Sequence, residues 1–280
     1  ETLKKIRDYK HILASQKNMD VLIKEDLDAI RREFAEARRT VIEDGEEIVL
    51  EEVKEAAKEV VFIMDRFGYC KVMDKSLYER NSETVQTEGT LTRPVMTDDR
   101  LCFFTDTGAM YQIKTSDIPT GKIKDKGIPI ENISKFEGSK ERILMVETAM
   151  SLPSRRYLFA TEQAMVKIVP GEEFITANRM VASTKLAEGD LLAFITPLCK
   201  EKELVLQTRD SYFLRFSLEE IPVLKKNSRG VRGMKLEKDD KLEQVWFPER
   251  EASIQYKGKE VHLNRLKISK RDGKGTKTRI

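Results

Sequence analysis

The sequence predicts a mainly β chain, with five blade-like units set around an axis and α-helices ahead of them. Three observations predict it. The apolar period changes from helical to strand-like near residue 60. A strand–turn–strand unit then recurs five times, and a repeat constrains architecture more than any local pattern does. Between the units lie connectors rich in glycine and basic residues.

Residues 1–48 read as α-helical. Leu3, Ile6, Lys10 and Leu13 share one helix face. Met19, Leu22, Ile23, Leu27, Ile30 and Phe34 repeat at three and four residues, and Asn18 or Asp20 is placed to cap this second helix. The apolar stripe of the first helix suits either a hairpin packed on the main domain or half of a coiled coil whose other strand lies upstream. Residues 49–59 are acidic and short of large apolar side chains, which makes them a linker, with some helix over Val53–Glu59. Residues 60–280 form the β region.

Its units begin at Val60–Met64, Leu101–Thr105, Tyr157–Thr161, Leu204–Thr208 and Val245–Pro248. Each apolar run is followed by a turn and a returning strand, whose members include Lys71, Gln112, Lys167, Arg215 and Gln255. A second element recurs between the runs: Asp99, Asp190 and Asp240 each sit five residues after a Pro or Lys, and since an Asp in a tight turn can accept its own backbone N–H bonds, each reads as a hairpin turn. Unit spacings of forty to fifty residues suit a four-stranded blade. One blade cannot bury both faces, whereas a ring of five can. Tyr157, Phe159, Trp246 and Phe247 fall inside apolar runs and read as core, as do the three cysteines in or near strands.

Composition narrows the function. No apolar run is long enough to span a membrane. The three cysteines Cys70, Cys102 and Cys199 are far apart, which excludes a disulfide scaffold or a Cys-x-x-Cys zinc site and favours a reducing, cytoplasmic setting. With only His11 and His262, a histidine-based triad or metal cluster is not expected. The P-loop, the Gly-x-Ser-x-Gly elbow and the His-Glu-x-x-His signature are all absent, so no catalytic residue, metal or resident cofactor is assigned. The chain starts at Glu1 with no leader and reads as a cut-out of something longer.

Charge is the informative feature. The total is +3, but residues 221–280 hold 17 Lys and Arg against 8 Asp and Glu, or +9, which leaves −6 on the first 220. Lys71, Lys167 and Arg215 are expected at equivalent places in three blades. The connectors add Lys122, Lys124 and Lys126, then Lys225, Lys226, Arg229, Arg232 and Lys235, and the tail adds Lys270, Arg271 and Lys274. A curved band of such charge on a rim suits duplex DNA, because bound lysines and arginines release condensed counterions. Glycine beside arginine lets backbone N–H groups reach phosphate as well. No aromatics alternate with these bases, as a single-strand stacking platform requires. The plainer alternative is that the bases only solubilise a β-rich surface. A protein-binding propeller without nucleic acid also stays open.

Several segments resemble a known family. Lys24–Ile42 (KEDLDAIRREFAEARRTVI) resembles the stretch that leaves the coiled coil in the A subunits of bacterial type IIA DNA topoisomerases, DNA gyrase and topoisomerase IV. Gly68-Tyr69-Cys70-Lys71 with Tyr78 is similar to the first blade of their C-terminal domain, and Arg229–Leu236 (RGVRGMKL) to its blade-connecting motif. Lys267–Lys277 is similar to chain ends in the family. The resemblance implies a five-bladed β-pinwheel, propeller-like with strands exchanged between blades, and DNA bent around a basic rim. It also implies a partner B subunit that uses ATP and Mg, an A2B2 assembly built on an A-subunit homodimer, and a DNA-cleaving tyrosine upstream of this segment. The family's gyrase members carry a Gln-Arg-Arg-Gly-Gly-Lys-Gly box where this sequence has Asn81–Thr87 (NSETVQT). Its absence implies a topoisomerase IV-like subunit that captures the transported duplex, with a wrapping gyrase-type domain as the alternative.

Overall fold

The computed structural model of the chain describes residues 1–36, 40, 56–86 and 90–278. Two compact units result, Glu1–Lys54 and Glu55–Ile280. The expected linker 49–59 and the segment Arg38-Arg39 lie largely or wholly outside the described residues.

In the first unit, α1 spans Thr2–Leu13 and α2 spans Gln16–Phe34, and neither has a buried residue. The N-cap of α2 is Ser15, not Asn18 or Asp20. Asn18 instead donates from Nδ2 to the His11 carbonyl at 2.8 Å and so ties the two helices at their turn. Among the described residues, no helix is long and apolar enough to cross a membrane.

Among its described residues, the second unit holds four four-stranded antiparallel sheets and one two-stranded hairpin, and a hairpin stands where the fifth blade was expected. Sheet one comprises β1 (Glu59–Met64), β2 (Tyr69–Asp74), β3 (Leu91–Met96) and β6 (Ile128–Pro129). Sheet two comprises β4 (Arg100–Thr105), β5 (Ala109–Lys114), β7 (Ile143–Thr148) and β10 (Met180–Ala182). Sheet three is β8 (Arg156–Thr161), β9 (Met165–Pro170), β11 (Leu192–Leu198) and β14 (Val231–Arg232). Sheet four is β12 (Glu203–Thr208), β13 (Tyr212–Ser217), β15 (Leu242–Trp246) and β18 (Thr276–Lys277). The hairpin is β16 (Ser253–Tyr256) with β17 (Lys259–His262). Val245 and Trp246, expected to open the fifth unit, instead complete sheet four in β15.

Every sheet repeats one order: third strand, first, second, and an outer strand delivered by the following unit. Thus β6 reaches sheet one only after the chain has built β4 and β5, and β18 reaches sheet four after β16 and β17. The third strands of successive sheets contact one another, β3 with β7, β7 with β11 and β11 with β15. The exchanged strands therefore occupy the opposite, outer edge of each sheet.

Continuous apolar runs follow from burial on both strand faces. Val60, Phe62 and Met64 join Leu101 and Phe103 in the core between sheets one and two. Cys102 and Phe104 point the other way, to Tyr157, Phe159 and Phe174 between sheets two and three. Leu158, Leu204, Leu206 and Phe216 fill the third interface. Val205 and Phe213 pack on Ile254, Val261 and Leu263 of the hairpin unit. The far face of sheet one is covered differently. Val61, Ile63 and Met73 pack on Leu77, Tyr78 and Val85 of α3 (Lys75–Arg80) and α4 (Ser82–Val85). Among the described residues, no buried apolar cluster joins the hairpin to sheet one.

The turns at Asp190 and Asp240 are not the expected hairpins, since each joins strands of different sheets, but both carboxylates accept backbone N–H bonds. Oδ1 of Asp190 accepts from Gln163 N and Leu191 N, and Oδ1 of Asp240 from Asp210 N and Lys241 N. Each pins the start of a third strand to the turn of its own first hairpin. Asp99 is out of phase with them: it precedes a first strand, β4. Of the cysteines, Cys70 and Cys102 are buried, with burial pushing both thiols up to about 12. Cys199 is exposed, against the expectation of core packing.

Phe104 is fully buried and touches the rings of Tyr157, Phe159 and Phe174. Phe104→Ala is expected to cost about 3–5 kcal/mol, seen as a lower urea midpoint with an unchanged slope.

Candidate nucleic-acid interface

The basic residues lie mostly on the connectors that deliver the exchanged strands. Three connectors have the same build. Short helical turns at Thr115–Asp117, Leu218–Glu220 and Leu263–Arg265 are each followed by ten residues (118–127, 221–230 and 266–275), and then by β6, β14 or β18. Each connector makes one parallel bridge to a second strand: Thr120 to Val72, Val223 to Ile168 and Ile268 to Arg215. Counting from those bridges superimposes the bases. Lys122, Lys225 and Lys270 share the position two residues on, and Lys126, Arg229 and Lys274 the position six residues on. All six are exposed. The connector into sheet two departs from this build: only residues 175–179 separate Gly171–Phe174 from β10, and the basic loop is missing.

Glycines permit the close approach of these connectors. Gly127, Gly230 and Gly275 all have left-handed φ, at +80°, +87° and +76°. A Cβ would lie 2.2 Å from the Cys70 carbonyl oxygen at Gly127 and 2.7 Å from that of Val166 at Gly230.

The column of second-strand bases is not on the surface. Lys71 is 7% and Lys167 1% exposed. Lys71 Nζ donates to the carbonyls of Lys122 (2.7 Å), Ile123 (3.1 Å) and Asp125 (2.7 Å). Lys167 Nζ donates to Lys225 (3.4 Å), Lys226 (2.6 Å) and Ser228 (2.8 Å), and lies 5.4 Å from the centre of the Phe159 ring. Burial lowers the pKa of both ammonium groups, that of Lys167 to about 8, with Asp125 and Glu173 respectively opposing the shift. Arg215 is not their equivalent. Lys71 and Lys167 stand three residues after Gly68 and Ala164, the positive-φ residues of their hairpin turns. The same step from Ser211 leads to Leu214, and from Gly108 to Tyr111. Arg215 pairs with Glu203 (2.5 Å) and donates to the Asn264 and Leu266 carbonyls. A sequence count begun at the end of the first strand puts Lys71 and Arg215 level, because the turn after β1 (65–68) is one residue longer than that after β12 (209–211).

Other expected bases are also engaged. Lys226 Nζ donates to the Glu173 carbonyl at 2.7 Å. Arg271 donates to the Glu220 and Arg232 carbonyls. Arg232 pairs with Asp272, whose carboxyl that guanidinium holds below the usual carboxylate range. Lys274 pairs with Glu237 but stays exposed. The side chains of Lys122, Lys124, Lys126, Lys225, Arg229, Lys235 and Lys270 are exposed. Among the described residues, the expected set therefore splits into seven bases directed at solvent and seven that lace the connectors to the sheets or to one another. The acidic partners Glu203, Asp272 and Glu237 were not anticipated, since nothing in their local sequence marks them. Asn81–Gln86 contributes no basic side chain; it lies on the helical segment that covers sheet one.

Outer-edge strand exchange and basic connectors define a class, the gyrase-type C-terminal β-propeller. A family described as "DNA gyrase C-terminal domain, beta-propeller" matches residues 99–132, 156–199 and 202–245. The chain is 26% identical over 299 residues to the DNA gyrase A protein of Staphylococcus epidermidis, covering 99% of this chain and 33% of that protein. It is 31% identical over 226 residues to the corresponding gyrase protein of Streptococcus pyogenes, covering 76% and 27%. The crystal structure of the C-terminal domain of DNA topoisomerase IV superimposes with a TM-score of 0.70 at 20% identity, covering 79% of this chain and 73% of that one. The chain belongs with the C-terminal parts of type IIA topoisomerase A subunits, and spans about a third or less of the length of the curated relatives it matches.

Gly127→Ala and Gly230→Ala each force a side chain into left-handed backbone and against a carbonyl. Each is expected to cost at least about 1–2 kcal/mol, read as a lower thermal midpoint, whereas Gly258→Ala meets no neighbouring atom within 4 Å and costs only the backbone strain.

Proposed function

We propose that residues 56–278 bind duplex DNA along the outer edge of the sheets and curve it, as the DNA-holding part of a topoisomerase A subunit. One observation carries this reading. Three connectors of equal length each carry an exposed base at the same two positions, Lys122, Lys225 and Lys270, then Lys126, Arg229 and Lys274, the last of them paired with Glu237. Such a repeat places positive charge along the edge at sheets one, three and four, which solubility alone does not require. Lys124 and Lys235 extend the same surface. Curving a 20–30 base-pair site by 40–90° costs roughly 1–6 kcal/mol, so many phosphate contacts must offset it. Lys71, Lys167 and Arg215 are not assigned phosphate contacts, because their charged ends are taken by carbonyls and Glu203.

In this reading the whole enzyme is an isomerase that acts in the cytoplasm. ATP and Mg are bound through a partner B subunit, and two A subunits assemble with two B subunits. A topoisomerase IV-like role, capture of the transported duplex with little wrapping, is supported by the lack of bases over Asn81–Gln86. A gyrase-like, DNA-wrapping role is the second reading, favoured by the relatives that are gyrase proteins.

Affinity for a linear duplex is expected to fall steeply with salt, with a log–log slope of about −0.9 per neutralised phosphate. Lys225→Glu with Arg229→Glu should flatten that slope by about two such steps and leave the circular-dichroism spectrum unchanged. An affinity indifferent to salt would refute duplex binding. Nicked circles ligated with the protein bound separate the two roles: a small linking-number change is expected, and a large change of constant sign overturns the topoisomerase IV-like reading.

A further inference from the structure

We propose that Lys71 and Lys167 are positioning residues for the DNA-binding loops: each buried ammonium gathers three carbonyls of an incoming connector and so fixes where that connector's exposed bases stand. The inference rests on the duplex-binding reading for its consequence, but the loop restraint is a separate property of the fold.

The two sites are copies of one arrangement. Counted from the bridging residues Thr120 and Val223, the accepting carbonyls are the second, third and fifth in both: Lys122, Ile123 and Asp125, then Lys225, Lys226 and Ser228. An ammonium has three donors and no acceptor, so three converging carbonyls satisfy it completely. Among these residues each loop has one backbone–backbone turn, Asp125 N to Lys122 O and Ser228 N to Lys225 O, and a few side-chain ties, in which Asp125 Oδ2 accepts from Lys122 N, Glu173 Oε2 from Lys226 N and the Lys225 carbonyl from Ser228 Oγ. No strand ladder holds the segment between the bridge and the exchanged strand. The lysine reaches it because a glycine stands opposite its stem: a Cβ at Gly127 would be 3.1 Å from Lys71 Cβ, and one at Gly230 would be 3.3 Å from Lys167 Cβ.

Burying an ammonium is strongly unfavourable unless it is fully hydrogen-bonded. The carbonyls in return accept charge-assisted hydrogen bonds, which are stronger than those between neutral groups. The loop and the lysine therefore order each other. The free bases of these two loops, Lys122, Lys124 and Lys126, then Lys225 and Arg229, project from the backbone that the clamps restrain. Sheet four is the built-in contrast. Leu214 takes the lysine's place and packs near Gly273, and the connector is tied instead at its start by Arg215 to the Asn264 and Leu266 carbonyls and further on by Arg271 to Glu220 and Arg232.

The test uses the whole 280-residue chain, with Lys71→Met and Lys167→Met made singly and together. Hydrogen exchange of backbone amides should quicken at least tenfold in 122–127 for Lys71→Met alone and in 225–230 for Lys167→Met alone, with 268–275 unchanged in both. The double variant should bind a linear duplex at least fivefold more weakly, with the salt slope of the wild-type chain. Unchanged exchange in both loops overturns the clamp. A slope lower by about 0.9 per lysine removed overturns it too, since the ammonium would then be meeting phosphate. Loosened loops with unchanged affinity overturn the positioning role. If the wild-type chain binds no duplex, the function reading fails while hydrogen exchange still decides the clamp. Should a variant not fold, side-chain NMR of the wild-type chain decides. Lys71 and Lys167 should give slowly exchanging Nζ–H cross-peaks, and exchange as fast as that of Lys122 or Lys126 refutes the proposal.

Discussion

The outer strand of every sheet arrives from the next unit, and everything else in the β domain depends on that exchange. A three-stranded sheet would leave the second strand's backbone N–H and C=O groups unpaired at its edge. Strands β6, β10, β14 and β18 cover that edge. The chain must then cross from one sheet to the previous one, and it does so on the outside, because the opposite edges are occupied by mutually contacting third strands. The connectors are thus forced onto the perimeter, and any charge they carry becomes perimeter charge.

Close crossing sets the chemistry of the connectors. Where the chain passes over a second strand, glycine is needed at Gly127, Gly230 and Gly275. Neighbouring carbonyls turn inward and need donors, which Lys71 and Lys167 supply. The bases between turn outward. The same lysine type thus serves two opposite purposes at one crossing, as an internal tie and as surface charge. Ion pairs such as Arg232 with Asp272 and Lys274 with Glu237 join the connector 266–275 to β14 and the loop after it, at partly exposed sites. Exposed pairs of this kind contribute little stability each. Their effect is to neutralise positive charge that would otherwise face solvent.

The array has unlike ends. Sheet one closes its outer face with Leu77, Tyr78 and Val85 from a helical segment, and sheet four with a two-stranded hairpin. Each device buries an apolar strand face without a full neighbouring sheet. In the segment that caps sheet one, Tyr78 and Val85 are held by packing on Val61, Ile63 and Met73.

Much of this was legible beforehand. Apolar runs at Val60–Met64, Leu101–Thr105, Tyr157–Thr161 and Leu204–Thr208 became first strands because apolar patterning and β-branching are local properties of the chain. The turn aspartates Asp190 and Asp240 and the connector glycines were readable for the same reason. The fifth unit was misread because Val245 and Trp246 have strand character that fits a third strand as well as a first. Seven of fourteen expected binding bases proved to be tied internally. Composition shows that a residue is charged, whereas its exposure depends on what crosses over it, in this fold a segment some fifty residues away in sequence. The offset between Lys167 and Arg215 was hidden because Ala164 and Ser211 take left-handed turn positions without being glycine. Strand identity and turn chemistry follow from neighbours in the chain. Which face of a strand meets solvent, and which lysine is a tie rather than a contact, follows from long-range strand exchange, whose partners carry no mark in the local sequence.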